Sequence, residues 1–165
     1  MNAKELKEII SKIIKNRKAV IIGLGHPLRG DDYVGSYIAE KLKQLVRSPN
    51  ILIINAETVP ELYTDVIREF KPDILLIIDA VDFGGEPGEI IFSKLCDLEI
   101  VERDGLSHAL PLYLVLKLMN VEERNVYILG IQPEKMNIGN SMSQKVLERA
   151  EIIVKVIKDI TQNNF

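Results

Sequence analysis

The stretch Ala19-Val20-Ile21-Ile22-Gly23-Leu24-Gly25-His26-Pro27-Leu28-Arg29-Gly30-Asp31-Asp32-Tyr33-Val34-Gly35 decides the fold. Its first six residues are an apolar run without polar alternation, the pattern of a strand buried on both faces, and such strands belong to parallel sheets covered by helices. A glycine-rich turn follows, and residues 32–45 then take on a helical spacing of apolar positions. The same order recurs downstream. Residues 51–55, 74–79 and 126–131 read as further buried strands, with helical patterns at about 60–70, 111–119 and 143–160. Regular alternation of this kind predicts a doubly wound α/β sheet. One segment departs from it: Gly84-Gly85-Glu86-Pro87-Gly88 is turn chemistry, and Glu89-Ile90-Ile91-Phe92 comes too soon after it for a crossover helix. An antiparallel edge strand is expected there. Upstream of the first strand, Leu6, Ile9, Ile10, Ile13 and Ile14 line one stripe of an amphipathic helix expected to pack on the domain over residues 1–18. The segment from Thr161 is expected to fray.

The chain of 165 residues suits one domain, since domains run to roughly 100–200 residues, so residues 1–165 are expected to form a single domain. Its 47% hydrophobic content supplies a core without a disulfide or a structural metal. A formal net charge of −3 and the absence of a basic tract argue against nucleic acid as a partner. The lone cysteine, Cys96, excludes an internal disulfide framework and a multi-cysteine zinc site. It stands near Asp97 and Glu99, which blunts a thiol, and is read as structural. No apolar run approaches the roughly 20 residues of a membrane span, and the first residues lack a signal-peptide core. A cytoplasmic protein without membrane insertion is expected.

In open α/β sheets the ligand crevice lies beyond the carboxyl ends of the strands, where strand order reverses. The loop from Gly23 to Gly35 lies there, and phosphate binding is the obvious reading, but the residues oppose it. Leu28 occupies the third glycine of the dinucleotide fingerprint, and Asp31-Asp32 replace the Lys and Ser/Thr of a P-loop. Two carboxylates repel a polyphosphate and suit a cation or a shared proton. Either aspartate could instead cap the following helix, and both roles can coexist, with Asp31 capping and Asp32 facing the crevice. Asp79 ends the third strand run, where an ionised group needs a partner. In the order 2-1-3 the first and third strands are neighbours, roughly 4.8 Å apart, so Asp32 and Asp79 could reach one ion. Asp82 reads as a solvated turn residue. Pro111 fits the first turn of a helix, which puts His108 at that helix's start, where the dipole favours a neutral, coordinating imidazole. Asp32, Asp79 and His108 together form a carboxylate, carboxylate and imidazole set with open positions, a candidate first-row metal site. Nucleophilic alternatives are weak, because Gly139-Asn140-Ser141-Met142-Ser143 lacks the last glycine of the serine elbow.

The ordered set of Gly23 to Gly35, Ile78-Asp79-Ala80, Ser107-His108 before Leu110-Pro111-Leu112, and Gly130-Ile131-Gln132-Pro133-Glu134 resembles the nickel-iron hydrogenase maturation endopeptidases. The resemblance covers about residues 19–150, and the Leu-Gly-Ile-Gln-Pro stretch is most similar to the hydrogenase-3 branch, whose substrates belong to formate hydrogenlyase or energy-converting membrane hydrogenases. It implies a three-layer α/β/α, phosphorylase/hydrolase-like domain of about five strands. It also implies an aspartic-type, metal-binding endopeptidase activity: the nickel-loaded large-subunit precursor loses a C-terminal peptide in its last maturation step. By the same resemblance the metal-contacting and catalytic residues are Asp32, Asp79 and His108, and the nickel is carried by the precursor. Two positions depart from the family pattern, His26 where Asn is usual and Tyr33 where Gly or Ala is usual. His26 either adds a ligand or hydrogen-bonds within the loop, and Tyr33 is expected to narrow the crevice. Nickel either activates the scissile bond or serves as a recognition element beside a carboxylate general base. The alternative from another class is a non-catalytic, metal-binding assembly chaperone for the same precursor.

Overall fold

The computed structural model describes residues 1–97, 121–122 and 125–163. The chain runs α1 (Ala3–Ile14), β1 (Ala19–Leu24), α2 (Val34–Leu45), β2 (Ile51–Glu57), α3 (Thr64–Phe70), β3 (Ile74–Ala80), β4 (Ile90–Lys94), β5 (Val126–Ile131) and α4 (Gln144–Asn163). A 3₁₀ turn leads into α2 at Gly30–Tyr33, another into α3 at Pro60–Tyr63, and a third follows β4 at Leu95–Asp97. The helix expected over residues 111–119 lies outside the described residues.

The five strands form one sheet in the order β2-β1-β3-β5-β4. β1 pairs in parallel with β2 and β3, and β3 with β5, while β4 runs antiparallel along β5 with Ile90 opposite Ile131. The edge strand and the 2-1-3 order thus follow the sequence expectation. The fold places the apolar runs accordingly: every residue of the central strands β1 and β3 is buried, whereas β2 at the edge is partly open. Alternate residues feed two cores. Ile21, Leu76 and Ile78 face α1, α2 and α4, and Val20, Ile22, Leu75 and Ile77 face Ile67 of α3. Helices therefore cover both faces of the sheet, giving three layers.

α1 is held at its start by a capping box, in which the Asn2 side chain accepts the Glu5 N–H and the Glu5 side chain accepts the Asn2 N–H. Its stripe of Leu6, Ile10 and Ile14 is buried in the core it shares with α4. The fraying expected from Thr161 is corrected. α4 continues to Asn163, and Thr161 is buried with its hydroxyl donating to the Lys158 carbonyl. Burial of that side chain holds the last turn in place. Cys96, read as structural, is exposed on the turn after β4, with its thiol 3.8 Å from Asp97 Oδ1. The strand has ended by that point, so no sheet covers the side chain. None of the helices among the described residues is long and apolar enough to cross a membrane.

Candidate functional site

After β1 the chain crosses by α2 to β2, and after β2 it returns by α3 to β3 on the other side of β1. Strand order therefore reverses between β1 and β3, which opens a crevice beyond their carboxyl ends. Asp32 stands in the turn after β1 and Asp79 is the penultimate residue of β3, opposite Gly130 of β5; both are fully buried. Their common corner is set by glycine. A Cβ on Gly35 would lie 2.1 Å from the Ile78 carbonyl oxygen and 2.3 Å from that of Leu24, so α2 begins directly against the ends of β3 and β1. Gly25, at φ +136°, would put a Cβ 1.7 Å from the Asp32 carbonyl oxygen, so the turn closes this tightly only without a side chain there. The Ser36 hydroxyl adds a 2.7 Å hydrogen bond to the Gly25 carbonyl.

The two adjacent aspartates have separate roles. Asp32 Oδ2 accepts the His26 N–H at 2.9 Å. Asp31 turns the other way, into the segment between β5 and α4. Its Oδ2 accepts the N–H of Glu134 and of Lys135 and the Ser143 hydroxyl, at 2.8, 2.9 and 2.9 Å, and its Oδ1 accepts the Ser143 N–H at 2.6 Å. The expectation that Asp31 caps α2 is therefore corrected: neither the 3₁₀ turn nor α2 has a side-chain cap. A capping residue needs extended backbone ahead of the helix, and Asp31 already lies inside the helical turn.

Around this pair the loop residues are internally satisfied. His26 Nδ1 accepts the Leu28 N–H at 3.0 Å, a hydrogen bond within the loop, which leaves the proton of a neutral ring on Nε2. The Tyr33 hydroxyl donates to Glu40 Oε2 at 2.7 Å, and its ring packs edge-on against Tyr37, so the side chain follows α2. Burial first, and then the Glu40 carboxylate, push the Tyr33 hydroxyl up to about 12. Tyr37, whose hydroxyl donates to Glu151 of α4, is also pushed up to about 12, again first by burial. Asp82 is an exposed turn residue whose Oδ1 accepts the Gly84 N–H at 3.2 Å.

Gln132, quoted in a motif but assigned no task by the sequence, is buried and joins the β3–β4 turn to β5. Its Oε1 accepts the N–H of Phe83 and of Gly85, at 2.9 and 3.1 Å, and its Nε2 donates to Asp82. Ser143 was also missed, although a serine directly before a helical pattern is a recognisable signal of a helix start. His108 lies outside the described residues. Among the described residues no three His, Cys, Asp or Glu side chains converge to hold a metal ion. Asp32 and Asp79 offer two carboxylates at one strand-end corner, able to supply oxygen donors or to take a proton.

Residues 36–160 match the sequence profile described as hydrogenase maturation protease. The chain is 38% identical over 166 residues to a candidate hydrogenase maturation protease of Methanocaldococcus jannaschii, covering 95% of this chain and 96% of that one. It is 30% identical over 141 residues to the hydrogenase 3 maturation protease of Escherichia coli, covering 81% and 85%. The crystal structure of a [NiFe] hydrogenase maturation protease from Thermococcus kodakarensis superposes with a TM-score of 0.80 at 32% identity, over 94% of this chain and 99% of that one.

Proposed function

The chain belongs to the hydrogenase maturation protease family, and from that premise we propose that it is the endopeptidase that removes a C-terminal peptide from the nickel-loaded large-subunit precursor of a nickel-iron hydrogenase. The observation that carries this reading is the pair of buried carboxylates, Asp32 and Asp79, at the carboxyl ends of adjoining strands β1 and β3, where the fold opens its crevice. The Ser36 hydroxyl at that corner is engaged with the Gly25 carbonyl, and the chemistry fits direct attack by water with a carboxylate moving the proton.

In this mechanism Asp32 or Asp79 takes a proton from water as the oxygen adds to the scissile carbonyl carbon. The carbon–nitrogen bond then breaks, and the same carboxyl group returns the proton to the leaving amine. Nickel enters as part of the substrate. The two carboxylates are an incomplete ligand set of the kind that an ion already bound by the precursor can share, and His108 is proposed as the third group. When present there, nickel supplies either polarisation of the scissile carbonyl or a recognition element. The protein is proposed to act in the cytoplasm on a precursor not yet assembled into its hydrogenase.

The test mixes the protein with precursor that is nickel-loaded or nickel-free and follows intact mass, with Asp32→Asn and His108→Ala alongside. Release of a C-terminal peptide from the loaded precursor alone, lost in both folded variants, is the expected result. Cutting of both precursor forms refutes the nickel requirement. Precursor binding with no peptide release from a cognate pair refutes the endopeptidase reading in favour of an assembly chaperone.

A further inference from the structure

We propose that Asp31 is a positioning residue, whose carboxylate clamps the β5–α4 segment and thereby fixes its chain neighbour Asp32 in the crevice. The proposal rests on the reading above that Asp32 takes part in cleavage. A fully buried carboxylate is costly unless its oxygens are hydrogen-bonded, and here four donors meet it, three of them from Glu134, Lys135 and Ser143 backbone N–H groups. Hydrogen bonds to an ionised acceptor are roughly twice as strong as neutral ones.

The clamp is continued by the backbone. The Asp31 N–H donates to the Lys135 carbonyl at 2.7 Å, the Gly30 N–H to that of Asn140 at 3.0 Å, and the Gly139 N–H to that of Leu28 at 2.9 Å. Three backbone hydrogen bonds therefore tie residues 28–31 to residues 135–140. Only two soft dihedrals separate the Asp31 and Asp32 side-chain origins, so the anchor on one sets the place of the other. A neutral amide at position 31 cannot reproduce the pattern. Its oxygen can serve one side of the carboxylate, but its NH₂ then faces either the Ser143 N–H or the N–H groups of Glu134 and Lys135, donor against donor.

The His26 amide reports on the clamp without any substrate, because it donates to Asp32 and not to Asp31. The experiment compares Asp31→Asn, Ser143→Ala, Ser143→Thr and Asp32→Asn in the full chain, by amide exchange and by cleavage of nickel-loaded precursor well below each melting temperature. Asp31→Asn is expected to speed exchange at His26 as well as at residues 134–143, and to lower kcat by about 10- to 100-fold at unchanged KM, the penalty of sub-ångström to ångström misplacement. Ser143→Ala is expected to give a smaller loss that Ser143→Thr restores by returning the hydroxyl. Wild-type protection of His26 in Asp31→Asn overturns the proposal whatever the activity, as does normal kcat per folded molecule. Cleavage by Asp32→Asn at the wild-type rate would instead overturn the reading beneath it, and the His26 exchange keeps the two failures apart.

Discussion

Replacing Gly35 by alanine tests the packing on which the crevice depends. The added Cβ would fall 2.1 Å from the Ile78 carbonyl oxygen, whereas ordinary contact begins at 3.4 Å, so α2 must retreat from the sheet by about 1.3 Å. Its other near neighbour, the Leu24 carbonyl oxygen at 2.3 Å, is also backbone and cannot swing aside. Overpacking of a rigid site costs about 1–3 kcal/mol, and with two strand backbones in the way the upper part of that range applies. A loss of about 2–3 kcal/mol lowers the melting temperature by about 4–12 °C for a domain of this size. The same retreat carries the turn that bears Asp32 away from β3 and Asp79, so cleavage should fall by about 100-fold even where the variant is folded. Thermal melts followed by circular dichroism, and cleavage of the nickel-loaded precursor at a temperature where both proteins are folded, measure the two effects. A melting temperature within a degree of wild type, together with normal cleavage, would refute the inferred contact and with it the placement of the two carboxylates at one corner.

Leu6→Ala removes a fully buried side chain from the α1 stripe and should cost about 2–5 kcal/mol in urea unfolding; a loss below about 1 kcal/mol would mean that α1 is a loose appendage. Gln132→Ala leaves the Phe83 and Gly85 N–H groups without their shared acceptor, a cost of about 1–3 kcal/mol, and faster exchange of those two amides is the expected signature. Tyr33 and Tyr37, both pushed up to about 12 from 10.0, should ionise well above the ordinary tyrosine range. Because their folded values lie above the unfolded one, the stability they contribute is intact below pH 10 and disappears as pH rises through about 12. Tyr33→Phe should remove one of the late steps in a tyrosinate absorbance titration and flatten the loss of stability over that window; loss of a step near 10 instead would contradict the burial and Glu40 pairing that raise the Tyr33 hydroxyl.

The sheet was legible because its strands are buried on both faces, and a run such as Ile74 to Asp79 has no other economical use in a domain of this size. The antiparallel edge was legible because a five-residue turn leaves no room for a crossover helix. The expected 2-1-3 order already puts Asp32 and Asp79 at the ends of adjoining strands. Roles that depend on distant partners were not legible. Nothing in Asp31-Asp32 distinguishes the two carboxylates, since what separates them is a segment more than a hundred positions away. Gln132 is similar, for its amide serves a turn about fifty positions upstream. The burial of Thr161 depended on how α4 packs, which the local pattern at residues 161–165 does not encode. Exposure of Cys96 likewise depended on where β4 stops.

The hydrogen bonds between Asp31 and Ser143 span 112 positions of chain, and this has a consequence for the timing of synthesis. Closing a loop of that length costs about 4 kcal/mol of chain entropy beyond a constant term, so the ends meet late, after the intervening strands have shortened the path. A ribosome adding roughly 5–20 residues per second needs on the order of 5–20 s to pass from one partner to the other. Throughout that interval the first loop is already made but its anchor is not. If Asp31 positions Asp32 as proposed above, a newly made molecule cannot cut peptide until the segment ahead of the last helix has docked.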